Sequence, residues 1–363
     1  MQRNFFLNHS EVEFYFKQSV NDFIVTEVPL YEFSGEGEHL VLKVRKKNVT
    51  TWQMLDIFAK TLGIKSREIG YAGLKDKNAM TIQHISINKK YEERLKDFES
   101  KDIKILETTY HKNKIKIGHL KGNKFFIRLK KTNPLSATKI DEAIKAIKTY
   151  GIPNFFGFQR FGITQENYNR GKEIVEGKLK IRDRKEKKFL IGSYQSYMFN
   201  SWLSKRLEIS KIIESCSIKE LQSYFKLDKN IITAIKNQPH RFKLLQGDLM
   251  HHYPHGRVFE LSNMEEDSKR FVEKDVVPTG ILSGSRVSQS KDLAFEYEKD
   301  FLDEQIPLDG TRKFAWIFPK EIETNYREKD FWYELNFYLP KGSYATVLIE
   351  ELAHKELLSE ANL

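Results

Sequence analysis

Asp76 stands between Lys75 and Lys77 in the stretch YAGLKDKNAMTIQ, residues 71–83. Neighbouring cations favour the ionised form of an acid, and an ionised carboxylate can serve as a nucleophile or as a base. The same framing also describes a solvated loop whose acid is balanced by its neighbours, and ion pairs are commoner than active sites. Gly70 and Gly73 permit backbone geometries that other residues adopt only at a cost, and Asn78 adds a turn-former. Other reactive patterns are missing from the sequence: there is no G-x-S-x-G elbow, P-loop or dinucleotide-binding fingerprint. Cys216 is the one cysteine, so an internal disulfide is excluded, and no motif around it marks a nucleophile. The ten histidines are scattered apart from His251, His252 and His255. Pro254 inside that group prevents a helical pair of ligands one turn apart, and no metal site is expected. Nothing in the sequence calls for a cofactor.

At 363 residues the chain is long enough for two domains, each with a core of its own. A hydrophobic content of 40% with 13% aromatics fits a folded chain rather than a disordered one. The 61 basic side chains outweigh 50 acidic ones and leave a net charge of +11, which suits a polyanionic partner such as nucleic acid. A merely soluble basic protein satisfies the same charge. No apolar run reaches the length of a membrane span, and the opening MQRNFFLNHSEVEF has no long apolar region. A cytoplasmic location, which also suits a lone cysteine, is the expectation.

The elements that must position Asp76 follow from pattern. FIVTEV (23–28) and LVLKVR (40–45) read as a pair of strands joined by a polar loop that includes Gly35 and Gly37. Thr50 or Thr51 caps a helix with Trp52, Leu55, Phe58, Ala59 and Leu62 on its apolar face, ended by Gly63. TIQHISI (81–87) reads as a strand, and two more, 114–117 and 125–129, bracket a turn at LKGN. Lys112, Lys114 and Lys116 would then form a row of cations on one strand face, open to solvent or to an RNA backbone. Pro134 opens a helix with Ile140, Ile144 and Ile147 as its stripe, and Gly151 marks a boundary. RDRKEKK (182–188) reads as a charged surface run before a helix at about 194–207, and 217–226 as a short helix. FWYELNFY (331–338) reads as a buried strand, followed by LPKGSYAT and a helical VLIEELAHKELL. The sum is an α+β architecture. Phe23, Phe125 and Tyr344 each sit beside a polar residue near a strand end; such aromatics usually bury, but they also stack on unpaired bases. Asn123 suits either a turn or a base edge.

Taken together, these strings resemble one family. AGLKDKNAMTIQ (72–83) is similar to the signature of TruD-type tRNA pseudouridine synthases. DFIVTEV (22–28), GEGEHL (35–40), KGNKFFIRL (121–129), PNFFGFQRFG (153–162), SYMFN (196–200), PTG (278–280) and LPKGSYAT (339–346) resemble further family motifs, in family order along nearly the whole chain. The resemblance implies a pseudouridine-synthase catalytic domain at 1–150 and 319–363, with a mixed, largely antiparallel sheet flanked by helices. It implies a large α/β insertion domain, specific to TruD, at 151–318. Carried over residue by residue, Asp76 matches the catalytic aspartate. Phe23, Asn123 and Tyr344 match positions that contact the target nucleotide, Phe125 an aromatic beside the acid, and Lys17 a basic residue near the pocket. Gln195 stands where many members have arginine, and Tyr344 where some have phenylalanine.

The activity so implied is isomerisation of uridine in tRNA, at position 13 of the D arm, with the base flipped from its stack and no cofactor. tRNA is the expected partner, with no membrane and no obligate protein partner. Lys75 and Lys77 are the candidates for the cation beside Asp76. The alternative from a different class is a non-catalytic basic RNA-binding protein or RNA chaperone.

Overall fold

The computed structural model describes residues 3–16, 19–96, 98–162 and 164–357. The chain divides into two compact units. One, the sheet unit, comprises Glu13–Thr138 and Pro319–Gly342; the other, the helix-rich unit, comprises Met1–Val12, Lys139–Phe318 and Ser343–Leu363. The sheet unit opens with β1 (Phe23–Pro29), β2 (His39–Lys46), α1 (Thr51–Leu62), β3 (Gly70–Tyr71), β4 (Met80–Asn88), β5 (Ile103–His111) and β6 (Leu120–Lys130). After α2 (Pro134–Tyr150), the helix-rich unit contains β7 (Ile152–Pro153), α3 (Asn167–Val175), α4 (Arg184–Ser215), α5 (Ile218–Phe225) and α6 (Lys229–Lys236). It continues with β8 (Leu249–His252), β9 (Val258–Glu260), α7 (Met264–Val272), β10 (Val276–Leu282), α8 (Asp292–Glu296), β11 (Thr311–Phe314) and β12 (Trp316–Ile317). β13 (Lys320–Arg327) and β14 (Trp332–Pro340) return to the sheet unit, and α9 (Ala345–Ala353) belongs to the helix-rich unit.

The sheet unit is built on one eight-stranded sheet, ordered β13-β14-β6-β1-β4-β2-β5 with β3 paired to β4. β1 and β4 run parallel and the other pairs antiparallel, so the sheet is mixed and largely antiparallel. β1 and β2 are both strands but not partners, because β4 lies between them. A parallel pair needs a crossover, and the β2–α1–β3 segment supplies it. Thr50 caps α1 by accepting from the Gln53 N–H, and Gly63 closes it in the left-handed region. The helix buries Met54, Leu55, Phe58, Ala59 and Leu62 against Leu40, Leu42 and Val44 of β2 and Ile85 and Ile87 of β4. Trp52, expected on that apolar face, is 52% exposed, and Met54 takes the inward position.

Two expectations about the segment before β6 fail. Residues 114–117 are not a strand, because Ile115 turns inward against Val41 and Ala72 while its N–H bonds the Ser86 hydroxyl. Lys112, Lys114 and Lys116 therefore lie on an irregular connection rather than along a strand. LKGN is no turn either: it opens β6, where Asn123 pairs with Glu27 and Leu339.

In the helix-rich unit, Ile140, Ile144 and Ile147 are buried along α2, and Gly151 follows at φ +75°. α4 is far longer than the predicted 194–207: the charged run 184–188 is its first turn and a half, capped by Asp183. Its buried face carries Phe199, Trp202 and Arg206. Arg206 donates to both carboxylate oxygens of Asp248 at 2.7 and 2.8 Å in the interior. A four-stranded sheet, β11-β10-β8-β9, completes this unit. Among the described residues no helix is long and apolar enough to cross a membrane. Breaking a buried, bidentate pair strands its partner. Arg206→Ala should therefore lower stability by about 3–5 kcal/mol in urea unfolding, whereas a loss below about 1 kcal/mol would show the pair to behave as a surface contact.

Candidate active site

One face of the large sheet changes character along its strands. Under α1 it is apolar; beyond the N-terminus of that helix it becomes polar. Where the change begins, polar Lys46 and Thr81 lie in register with apolar Val25, Phe125 and Phe337 across β2, β4, β1, β6 and β14. In the next row Val44 adjoins Gln83, while Glu27 adjoins Asn123, itself opposite Leu339. Period-two alternation puts all of these on one face. Lys46, Glu27, Thr81 and Gln83 are buried.

The loop between β3 and β4, which carries Asp76, is fastened to these rows by the lysines. Lys46 Nζ donates to the carbonyl of Asp76 at 2.9 Å and to that of Val49 at 2.8 Å. Lys75 turns away from its neighbour: its Nζ bonds Asn123 Oδ1 at 2.9 Å and pairs with Glu27 at 3.1 Å. The Lys75 N–H donates to the Thr51 hydroxyl at 2.9 Å, and that hydroxyl donates to Gln83 Oε1 at 3.2 Å. The backbone is thus pinned at both Lys75 and Asp76, and the Asp76 residue itself is exposed. Beneath it, Thr81 Oγ1 and Gln83 Nε2 are buried without a hydrogen-bond partner among the described residues, a cost that functional clefts accept.

Burial pushes the Lys46 ammonium down to about 8, with the Asp76 charge opposing that shift and the Lys75 charge adding to it. Burial works to raise Glu27, but the His84 hydrogen bond and the Lys75 charge outweigh it and hold the carboxyl below its usual range. Phe23 and Phe125 face each other at 6.1 Å between ring centroids, Phe125 stacks on Phe337 at 5.3 Å, and Phe16 meets Phe23 edge-on at 5.6 Å. The sheet unit therefore presents an anchored carboxylate loop, an amide, two buried cations and a group of aromatic rings.

In the helix-rich unit, Tyr344 immediately precedes α9 and lies 6.0 Å from the Phe156 ring. A Cβ at Gly157 would come within 2.6 Å of Gln159 Oε1 and 3.0 Å of Tyr344 Cδ1, so a larger residue there would push on these side chains. Asn200 holds the same segment: its Oδ1 accepts from the Phe156 N–H at 2.8 Å, and its Nδ2 donates to the Phe156 carbonyl at 2.9 Å. The sequence stretches PNFFGFQRFG, SYMFN and GSYAT meet in space. Gln195 is buried, with its Nε2 donating to the Ser283 carbonyl at 2.6 Å.

The model for "tRNA pseudouridine synthase D (TruD)" matches residues 2–182 and 179–352. The chain belongs to this family. A tRNA pseudouridine synthase D of Nitratiruptor sp. is 55% identical over 99% of this chain and 100% of its own length. The namesake from Wolinella succinogenes is 51% identical over 98% and 99% of the two chains. The crystal structure of a putative tRNA pseudouridine synthase D from Methanosarcina mazei matches with a TM-score of 0.70 at 20% identity, covering 98% of this chain and 97% of that one, and so shares the fold. The α+β class with its mixed sheet agrees.

Of the residues singled out from sequence, Asp76, Phe23, Asn123 and Phe125 belong to one sheet unit, the last three on the face to which the Asp76 loop is tied. Tyr344 belongs to the helix-rich unit, and Lys17 lies outside the described residues. Sequence reading missed Lys46, Glu27 and Gln83. The signal was there: each is a polar residue at the inward phase of an alternating strand.

Lys46 binds its proton more weakly folded than unfolded, so its contribution to stability is fully present above about 10.5 and is lost as the pH falls through about 8. Between those limits the wild-type protein should gain about 2 kcal/mol relative to Lys46→Met, measured by paired denaturation curves across pH. A constant difference would refute the buried ammonium.

Proposed function

We propose that this chain, a tRNA pseudouridine synthase and therefore an isomerase, converts uridine at position 13 of tRNA to pseudouridine with Asp76 as its catalytic carboxylate. The observation that carries the reading is the anchoring of Asp76: its backbone is clamped by Lys46 and Lys75 while the residue stays exposed. A preorganised loop keeps a reacting group at a fixed position without immobilising it against substrate. The Lys46 cation lies beneath the loop, where its charge and that of Asp76 attract each other, and an ionised carboxylate is what nucleophilic or basic chemistry requires.

Uridine in a tRNA arm is stacked, so it must be swung out at a cost of a few kcal/mol. Phosphate contacts and ring stacking offset that cost. Phe23 and Phe125 confine the uracil, and Asn123 offers an amide to its edge. The bond from the ribose anomeric carbon to ring nitrogen 1 breaks, the detached uracil turns, and the anomeric carbon bonds to ring carbon 5. Carbon 5 then loses its hydrogen as a proton, and nitrogen 1 gains one. Asp76 acts either by attacking the anomeric carbon or by removing a sugar proton through a glycal. Electrons are conserved throughout, so no cofactor is needed.

In this reading the catalytic domain comprises 1–150 and 319–363 with 151–318 as the insertion, and the enzyme works in the cytoplasm, where a lone cysteine stays reduced. Asp76→Asn should keep affinity for an unmodified tRNA transcript while tritium release from 5-tritiated uridine falls by about 10³-fold or more. Wild-type release by the variant would remove Asp76 from the mechanism, and no release by the wild-type enzyme would favour the RNA chaperone.

A further inference from the structure

We propose that the cavity formed by the ends of β2 and β5 and the connection before β6 is a phosphate subsite that grips the RNA backbone. It encloses about 450 Å³ and is lined by three histidines, three lysines, Tyr31 and Asn113. Its lining holds no carboxylate, so the cavity offers hydrogen-bond donors and positive charge.

Two of the three histidines, His111 and His119, are held in place. The Ser34 N–H donates to Nδ1 of His111 at 3.2 Å. Nδ1 of His119 accepts from the Lys116 N–H at 3.4 Å and from the Tyr31 hydroxyl at 2.8 Å. With Nδ1 positioned as an acceptor in both rings, Nε2 is the nitrogen left to donate to a ligand. Tyr31 stacks on His111 at 4.9 Å and meets His119 edge-on at 5.5 Å, which holds the two rings in place. Gly37 fixes the wall: it lies at φ +127°, and a Cβ there would come within 2.5 Å of the His111 backbone.

The cations available for a ligand are Lys112, Lys114 and Lys116. Lys112 pairs with Glu36 at 2.8 Å, an exposed contact that a phosphate can readily displace. Lys114 donates to the Arg67 carbonyl at 2.8 Å, and Lys116 is exposed. A row of solvated lysines would need none of the ring orientation described above.

The cavity is also tied to the Asp76 loop. Ile115, between two of the lysines, packs against Ala72, and the Gly118 N–H donates to the Ala72 carbonyl at 2.8 Å. A strand whose uridine reaches Asp76 can therefore lay neighbouring phosphates on the same support. This inference rests on the proposed isomerisation of uridine in RNA.

The test measures binding of an unmodified tRNA transcript over a range of salt for the wild type and for the Lys112→Gln/Lys116→Gln double variant. Both side chains are exposed, and unchanged thermal unfolding would confirm an intact fold. The variant should bind about tenfold more weakly, with a slope of log affinity against log salt shallower by about one to two. Equal affinity and slope, while the wild type binds and releases tritium, would overturn the subsite alone; a wild type that does neither would overturn the isomerase reading with it. In a second arm, the His111 and His119 ring signals are followed by NMR with transcript and with millimolar inorganic phosphate. Movement with transcript supports the backbone subsite. Movement with inorganic phosphate alone, or with neither, refutes it.

Discussion

A lysine at the inward phase of a strand holds the candidate site together. The preceding inward positions on β2 are Leu40, Leu42 and Val44, and all three sink into the core under α1. Lys46 continues that phase past the end of the helix. Its stem is buried, so the ammonium must find oxygens nearby, and it finds backbone carbonyls at Val49 and Asp76. A buried cation without partners would be untenable, so the loop cannot drift from the ammonium without leaving that charge unsatisfied.

The second fastening works through complementary charge. Lys75 reaches Glu27 and Asn123, which lie opposite each other on β1 and β6, so one side chain ties the loop across two strands. The adjacent lysine thus directs its charge into the sheet, and the cation that holds the Asp76 carbonyl comes from Lys46, 30 positions earlier in the chain. The aromatic rings around Phe125 form the apolar end of the same surface.

The helix-rich unit applies another device. The Asn200 amide, which bonds both backbone groups of Phe156, fixes the segment against which the Tyr344 ring lies. Such bonds depend on backbone position, so they transmit the geometry of α4 to the segment it supports.

The sequence by itself determined the family, the α+β class and most elements with a strong period: α1 with its Thr50 cap and Gly63 stop, β4, β14 and the isoleucine stripe of α2. These depend on local chemistry, which neighbouring residues carry. The tertiary structure alone decided where β1 pairs, because strand partners are chosen by long-range register and not by the loop that follows. It decided that Lys112, Lys114 and Lys116 lie on a connection, because burial of Ile115 overrides the alternation that suggested a strand. It decided which cation meets Asp76, since adjacent side chains diverge from a turn while residues far apart in sequence converge on one sheet face.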